Sequence, residues 1–406
     1  LDRLNRGSWS GWLGVPRNRE RKDRRTAWVR AKMGVPFIDL RRQYETIRTE
    51  ATAAVIEVCE SQQFVLGRNV AALESSLSEY CGVRHAIGVS SGTDALLATM
   101  MALGVGPGDE IIAPSFTFVA TANTVARLGA RVVFADIEDG TYNIDAAHVS
   151  RLIGRRTKGI VAVHIFGQCA SLGALAQLAG TQRIWILEDC AQAIGASQGG
   201  RRAGSTGIAG CFSFYPTKNL GAFGDGGFIT TQDDGLAERL RAIRSHGGVV
   251  RYQHDCIGGC FRLDEIQAAV LRVKLPRLNG WTEQRRQLAA GYDAAFASSG
   301  LVDSGAIRLP TVGADNHHVY NQYVIRARSR DDLRKYLVAG EIGTDIYYPR
   351  PLHLQPCFAD LGYGVGSLPH TEAACREVLA LPCFPELTAS EQQEVVAAIV
   401  AFYRAR

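Results

Sequence analysis

An α/β fold carrying a mixed sheet wrapped by helices, followed by a smaller α+β C-terminal domain, is what the 406-residue sequence predicts. Three observations carry it. Strand-like and helix-like patterns alternate from about Cys59 to Lys274, as in chains that cover a largely parallel sheet with helices on both faces. The residues able to do chemistry cluster just after the apolar runs, where α/β proteins bind ligands. From about Thr282 the alternation stops and longer helices take over. With 46% hydrophobic residues the chain can fill a large core.

The strand candidates are 111 to 114, 131 to 135, 159 to 165, 184 to 188, 209 to 214 and 227 to 231, each a short run rich in Ile, Val, Phe or Leu. Later come a long helix from about Thr282, a strand from Asn321, a helix over 330 to 339, a strand over 343 to 348 and an amphipathic helix from Ser390. The expected division is a large domain over 57 to 281 and a small one built from 33 to 56 and 282 to 406. Residues 1 to 32 hold ten basic residues against three acids, a net +7 in a chain whose total is +5, so the remainder carries −2. That segment lacks periodicity and reads as a disordered basic leader outside the fold, with Met33 as the expected start. No apolar run reaches the 18 or so residues of a membrane helix. Ten cysteines without a secretory signal point to reduced thiols and a cytoplasmic location. Cys256 and Cys260 have no clustered histidine, so no metal site is expected. Neither nucleic acid nor a membrane is an expected partner.

The first chemical motif is the strand at Ile87-Gly-Val running into Ser-Ser-Gly92-Thr93 and then a helical apolar face at 95, 96, 99, 100 and 103. A turn that opens a helix presents free N–H groups and the positive dipole end, which suits a phosphate; an ordinary Ser/Thr cap has the same pattern. Next, Pro114-Ser-Phe-Thr-Phe118 follows a strand, and Phe118 is placed to stack on a ring. The strand ending Leu-Glu-Asp189-Cys-Ala191-Gln192 then offers a carboxylate, a small residue and an amide.

Lys218 is the most telling residue. It lies in Cys211-Phe-Ser-Phe-Tyr-Pro-Thr-Lys218-Asn-Leu-Gly, an aromatic run with no structural demand for an ammonium. The chain has only 6 lysines (22, 32, 158, 218, 274, 335) against 39 arginines, and Arg cannot act as an amine nucleophile. A lysine in an apolar pocket loses its proton readily and attacks aldehydes. Pyridoxal 5'-phosphate (PLP) chemistry follows: Asp189 would keep the pyridine nitrogen protonated, Gln192 would bond the ring oxygen, and Ala191 would leave room for the ring face.

These motifs, with Asp39-Leu-Arg-Arg-Gln-Tyr44, His164-Ile-Phe-Gly-Gln and Phe261-Arg-Leu-Asp-Glu-Ile-Gln-Ala-Ala, resemble the DegT-type (DegT/DnrJ/StrS) nucleotide-sugar aminotransferases from about Val35 to the C-terminus. The resemblance implies PLP fold type I, of the aspartate-aminotransferase kind. It implies that Lys218 forms the Schiff base and shuttles the proton, and that Gly92, Thr93, Asp94 and Ser213 hold the phosphate. It further implies a nucleotide-sugar substrate, an amino-acid donor, and a homodimer whose active sites are built from two subunits.

Two departures stand out: Cys260 where relatives commonly carry an Asn that reaches the neighbouring subunit's cofactor phosphate, and Cys169 where many have Pro. Gln at 192 and Pro-Leu-His353-Leu-Gln-Pro resemble members acting on 3-keto rather than 4-keto sugars. Tyr347, His353 and Arg251 are candidate substrate contacts. Sugar-dehydrating relatives replace the lysine with histidine, which Lys218 disfavours. The alternatives are a 4-keto sugar aminotransferase and a regulatory or scaffold protein without turnover.

Overall fold

The computed structural model describes Gly34 to Arg406 except Arg183, Val249 and Arg251; the leader and Arg251 therefore lie outside the described residues. The strands are β1 (His85–Val89), β2 (Glu110–Pro114), β3 (Arg131–Ala135), β4 (Thr157–Val163), β5 (Trp185–Asp189), β6 (Ser197–Gln198), β7 (Arg201–Arg202), β8 (Ala209–Ser213), β9 (Gly227–Thr231), β10 (Ile307–Arg308), β11 (Asn316–His317), β12 (Tyr323–Ala327) and β13 (Val378–Leu381). Seven of them form one sheet in the order β1-β9-β8-β5-β4-β2-β3. β9 is antiparallel to both neighbours, and β8, β5, β4, β2 and β3 pair in parallel.

Side-chain alternation explains why these strands read as unbroken apolar runs. Ile111, Ala113, Val161, Val163 and Leu187 join one core, while Ile112, Ile160, Ala162 and Ile186 join another on the opposite face. Both faces are covered, so neither set of positions needs to be polar. The first core is closed by α3 and α4 after α1 (Leu40–Ser61) and α2 (Arg68–Cys81) have been laid down, α3 being Gly92–Ala102 and α4 Ala120–Arg127. The same alternation sends Asp189 to the face of Leu187 and Glu188 to the opposite face.

A second, three-stranded sheet runs β10-β12-β13 and packs on the helices Leu278–Ser298, Arg330–Ala339 and Ala389–Arg404 through Tyr292, Phe296, Tyr323, Leu333 and Ile399. The segment 343 to 348, expected as a strand, makes only an isolated bridge from Asp345 to Ala380. Its ladder position is taken by Val378-Leu-Ala-Leu, which pairs with Tyr323 to Arg326. α1 lies between the two layers of contacts: Ile47 and Ala51 meet Trp281, and Arg42 bonds Glu391 of the last helix through both nitrogens at 2.8 and 2.6 Å.

Glu391 also closes a capping box with Thr388. The Arg42 guanidinium is the main reason its carboxyl is held down at about 2. A depressed carboxyl stabilises the fold above its ordinary value and loses that contribution as pH falls towards the depressed one. Glu391→Gln is therefore expected to lower stability by about 1 kcal/mol near neutrality. Thermal melts should show the gap between wild type and variant closing from pH 4.5 to about 2; a gap that persists at pH 2 would remove the ion pair from the account.

Candidate active site

The ends of β1, β5 and β8 converge on a cavity of about 660 Å³. Its wall contains Gly92, Thr93, Phe118, Asp189, Ala191, Gln192, Ser213, Lys218 and Tyr347 together. Gly92, Asp189 and Ser213 meet because parallel strands bring their C-terminal ends to one edge, and Tyr347 joins them from a later segment outside that sheet.

One part of the wall is built by the start of α3. Ser91 caps the helix by accepting from Asp94 N–H at 3.0 Å. The N–H groups of Gly92 and Thr93 have no partner among the described residues, as the first turn of a helix dictates. A Cβ on Gly92 would sit 2.8 Å from Ser213 Cβ, so only glycine lets the turn and Ser213 approach one point. Asp94 is not part of the wall; its carboxylate accepts from the Ser90 and Ser91 hydroxyls at 2.7 and 2.9 Å and braces the turn from behind.

Asp189 is buried at the floor. Burial pushes its carboxyl up, against the Thr121 hydroxyl, which donates to Oδ2 at 2.8 Å, and the Ala191 N–H, which donates to Oδ1 at 3.2 Å. Thr121 stands one turn after Phe118 at the start of α4, and Phe118 itself lies half-exposed at the mouth, its ring 6.5 Å from that of Tyr348. Gln192 is fixed at one end by Phe166 N–H, which donates to Oε1 at 2.7 Å. That leaves its NH₂ group as donor on the cavity side, 3.3 Å from the Tyr348 hydroxyl. Lys218 hangs from the turn after β8; burial lowers its ammonium to about 8, with the Asp189 carboxylate opposing.

One substrate candidate falls elsewhere. His353 is interior, not in the cavity: Ser115 Oγ lies 2.7 Å from Nδ1 and Glu372 Oε1 3.3 Å from Nε2, so it fastens the loop to β2. Arg251 lies outside the described residues. Thr121, Tyr348, Ser91 and Gln322 line the wall without having been singled out. Behind the floor, His164 Nε2 meets Glu188 Oε2 at 2.8 Å, and Glu188 also accepts from the N–H groups of Gly204, Thr206 and Gly207. With Cys190 these make a buried His/Glu/Cys group, but its carboxylate is already engaged in tying β5 to the next loop.

The model of the DegT/DnrJ/EryC1/StrS aminotransferase family matches residues 45–400. The chain belongs to that family. It is 47% identical over 372 residues to the pleiotropic regulatory protein of Geobacillus stearothermophilus, covering 92% of this chain and 99% of that one. It is 41% identical over 365 residues to dTDP-3-amino-3,4,6-trideoxy-alpha-D-glucose transaminase of Streptomyces venezuelae, covering 90% and 95%. The crystal structure of NtdA from Bacillus subtilis with bound cofactor PMP superposes with a TM-score of 0.86 at 31% identity, covering 93% and 86%. The fold is that of the PLP-dependent aminotransferases, and the cofactor of this family member is pyridoxal phosphate. The cavity suits that molecule, bringing together N–H groups free to bind an anion, a buried carboxylate and an amine whose pKa burial lowers. Among the described residues no helix is long and apolar enough to cross a membrane.

Proposed function

We propose that the protein transfers an amino group from an amino acid, glutamate, to a nucleotide-linked 3-keto hexose. The arrangement that supports this reading best is Lys218, an amine with pKa about 8, placed opposite the buried carboxylate Asp189 in one cavity. When bound, PLP supplies an aldehyde and a protonated ring that accepts the electrons of the Cα–H bond. The chain's own residues do the rest. Gly92, Thr93 and Ser213 bind the phosphate; Asp189, held by Thr121, keeps the ring nitrogen protonated; Gln192 donates to the ring oxygen; Phe118 and Ala191 bracket the ring faces. Lys218 Nζ would hold the cofactor at its aldehyde and, as a free amine, would take up and return the proton of the donor's Cα at Nζ.

The 3-keto preference is supported by Gln192 and by the 3-amino product in the Streptomyces venezuelae relative's name. Tyr347, at the cavity wall beside Phe37, is the proposed sugar contact. A homodimer is proposed because large apolar side chains stay exposed, among them Phe64, Val65, Phe223 and, at the cavity wall, Tyr215. The regulatory name of the Geobacillus relative favours a second reading, a non-catalytic family member. Incubating the yellow holoenzyme with glutamate decides between them. Bleaching followed by recovery on adding a 3-keto nucleotide sugar supports turnover; recovery with 4-keto sugars alone moves the specificity, and no bleaching by any amino donor supports the regulatory reading.

Cys260 is exposed and accepts from the Arg262 guanidinium at 2.9 Å. If the partner subunit's cofactor phosphate faces this position, Cys260→Asn should tighten cofactor retention several-fold, one charge-assisted hydrogen bond contributing roughly 1.5 to 3 kcal/mol at most. Equilibrium dialysis against PLP measures it; unchanged or weaker retention, or a monomer at working concentration, counts against shared sites.

A further inference from the structure

We propose that Lys274 is a positioning residue for the reaction: its ammonium, bonded to Gly221 O at 2.6 Å, clamps the turn that presents Lys218. The inference rests on the reading of Lys218 given above. Lys274 is another of the chain's 6 lysines, and its residue is 3% exposed, a burial that an unpaired ammonium ordinarily avoids. No carboxylate lies within ion-pair distance of it among the described residues. The acceptor it has found is the main chain of the Lys218 turn, and its charge sits 5.1 Å from the ring centroid of Phe223 in the same segment. Burial lowers the ammonium to about 8, with Glu386 opposing.

The turn has other anchors, Asn219 Nδ2 donating to Val319 O at 3.1 Å and Leu220 buried in the core, but none of them reaches Gly221. Lys218 N–H donates to Tyr215 O, Ala222 N–H to Phe214 O and Phe223 N–H to Gln267 Oε1, each at 2.8 Å. Gly221 lies so close to Pro216 O that any Cβ would collide with that carbonyl. The Gly221 carbonyl accepts from Lys274 Nζ. Tyr44, from the Asp39-to-Tyr44 motif, packs edge-on against Phe223 at 5.8 Å. A cavity of about 260 Å³ lined by Gln43, Tyr44, Pro216, Phe223 and Lys274 separates α1 from this turn. Without the clamp the turn can settle into that space, and a displacement near 1 Å at a reacting group costs up to about 10²-fold in rate.

The test replaces Lys274 by Met, which keeps the aliphatic stem and removes the donor, and by Arg, which keeps a cationic donor; Lys335→Met, at an exposed site, is the control. Two readouts are taken. In the cofactor-free protein, hydrogen exchange should quicken in the peptide spanning 215 to 223 of Lys274→Met and remain unchanged across the seven-stranded sheet. In the holoenzyme, kcat should fall about 10- to 100-fold while KM for the amino donor stays within about twofold, with Lys274→Arg intermediate in both. Should the Met variant not fold, Lys274→Gln, too short to reach Gly221, is expected to show the same pattern. Unchanged exchange in 215 to 223, exchange raised equally across the sheet, or a kcat equal to wild type each overturns the proposal. The exchange result does not depend on Lys218 being the cofactor lysine, so local loosening without loss of turnover would leave the clamp and refute its link to the reaction.

Discussion

Lys218→Arg is expected to reduce transamination by roughly 10⁴-fold or more, with Lys218→Ala equally inactive and both variants melting near the wild-type temperature. Arginine retains the positive charge and the length to reach the cavity, but its guanidinium stays protonated at any working pH and forms no Schiff base. The wild-type amine is different in kind: burial has already brought it to about 8, so a useful fraction is free base near neutrality. Capture of the cofactor by the cofactor-free protein should accordingly accelerate as pH rises towards that value and level off above it. A variant carrying Arg that turned over near the wild-type rate would assign the nucleophile to another residue.

Asp189→Asn is the second large effect, about 10²- to 10³-fold in kcat, the range found when one preorganised electrostatic partner is lost. The amide keeps the shape, but its one oxygen accepts from only one of Thr121 and Ala191, which donate to different oxygens of Asp189, and it places no negative charge on the floor. It cannot hold a proton on the ring nitrogen. Thr121→Val should produce a smaller loss in the same direction, since it strips one donor from Asp189 Oδ2 and leaves the charge. Stopped-flow absorbance with glutamate separates the two, and equal losses in both variants would mean that the floor fails through packing rather than charge.

Much of the fold was legible because the seven main strands are short apolar runs buried on both faces, a pattern that needs no knowledge of partners. The helix over 330 to 339 appears with the expected bounds, and the last helix starts one residue from its expected position. Segment 343 to 348 failed for a physical reason. Its Ile and two Tyr residues suit a strand, but it lies beside the cavity, where Ile346, Tyr347 and Tyr348 form a wall, and the ladder position went to Val378–Leu381. The residues at strand ends and helix starts that line the cavity were likewise picked out from their local sequence. His353 was not, because what satisfies it, Ser115 and Glu372, comes from distant parts of the chain. Thr121 and Tyr348 were missed for the same reason: a threonine in the first turn of a helix is unremarkable until Asp189 is found opposite it. Asp94 shows the converse, a motif residue in the right place whose side chain faces the serines behind the turn.

The central claim is that Lys218 carries the cofactor. Borohydride reduction of the yellow holoenzyme, followed by digestion and mass mapping, tests it most directly. The pyridoxyl group should be fixed on Lys218 alone, and prior treatment with glutamate should prevent the labelling. A label recovered on Lys274, or on any other lysine, with Lys218 unmodified would contradict it.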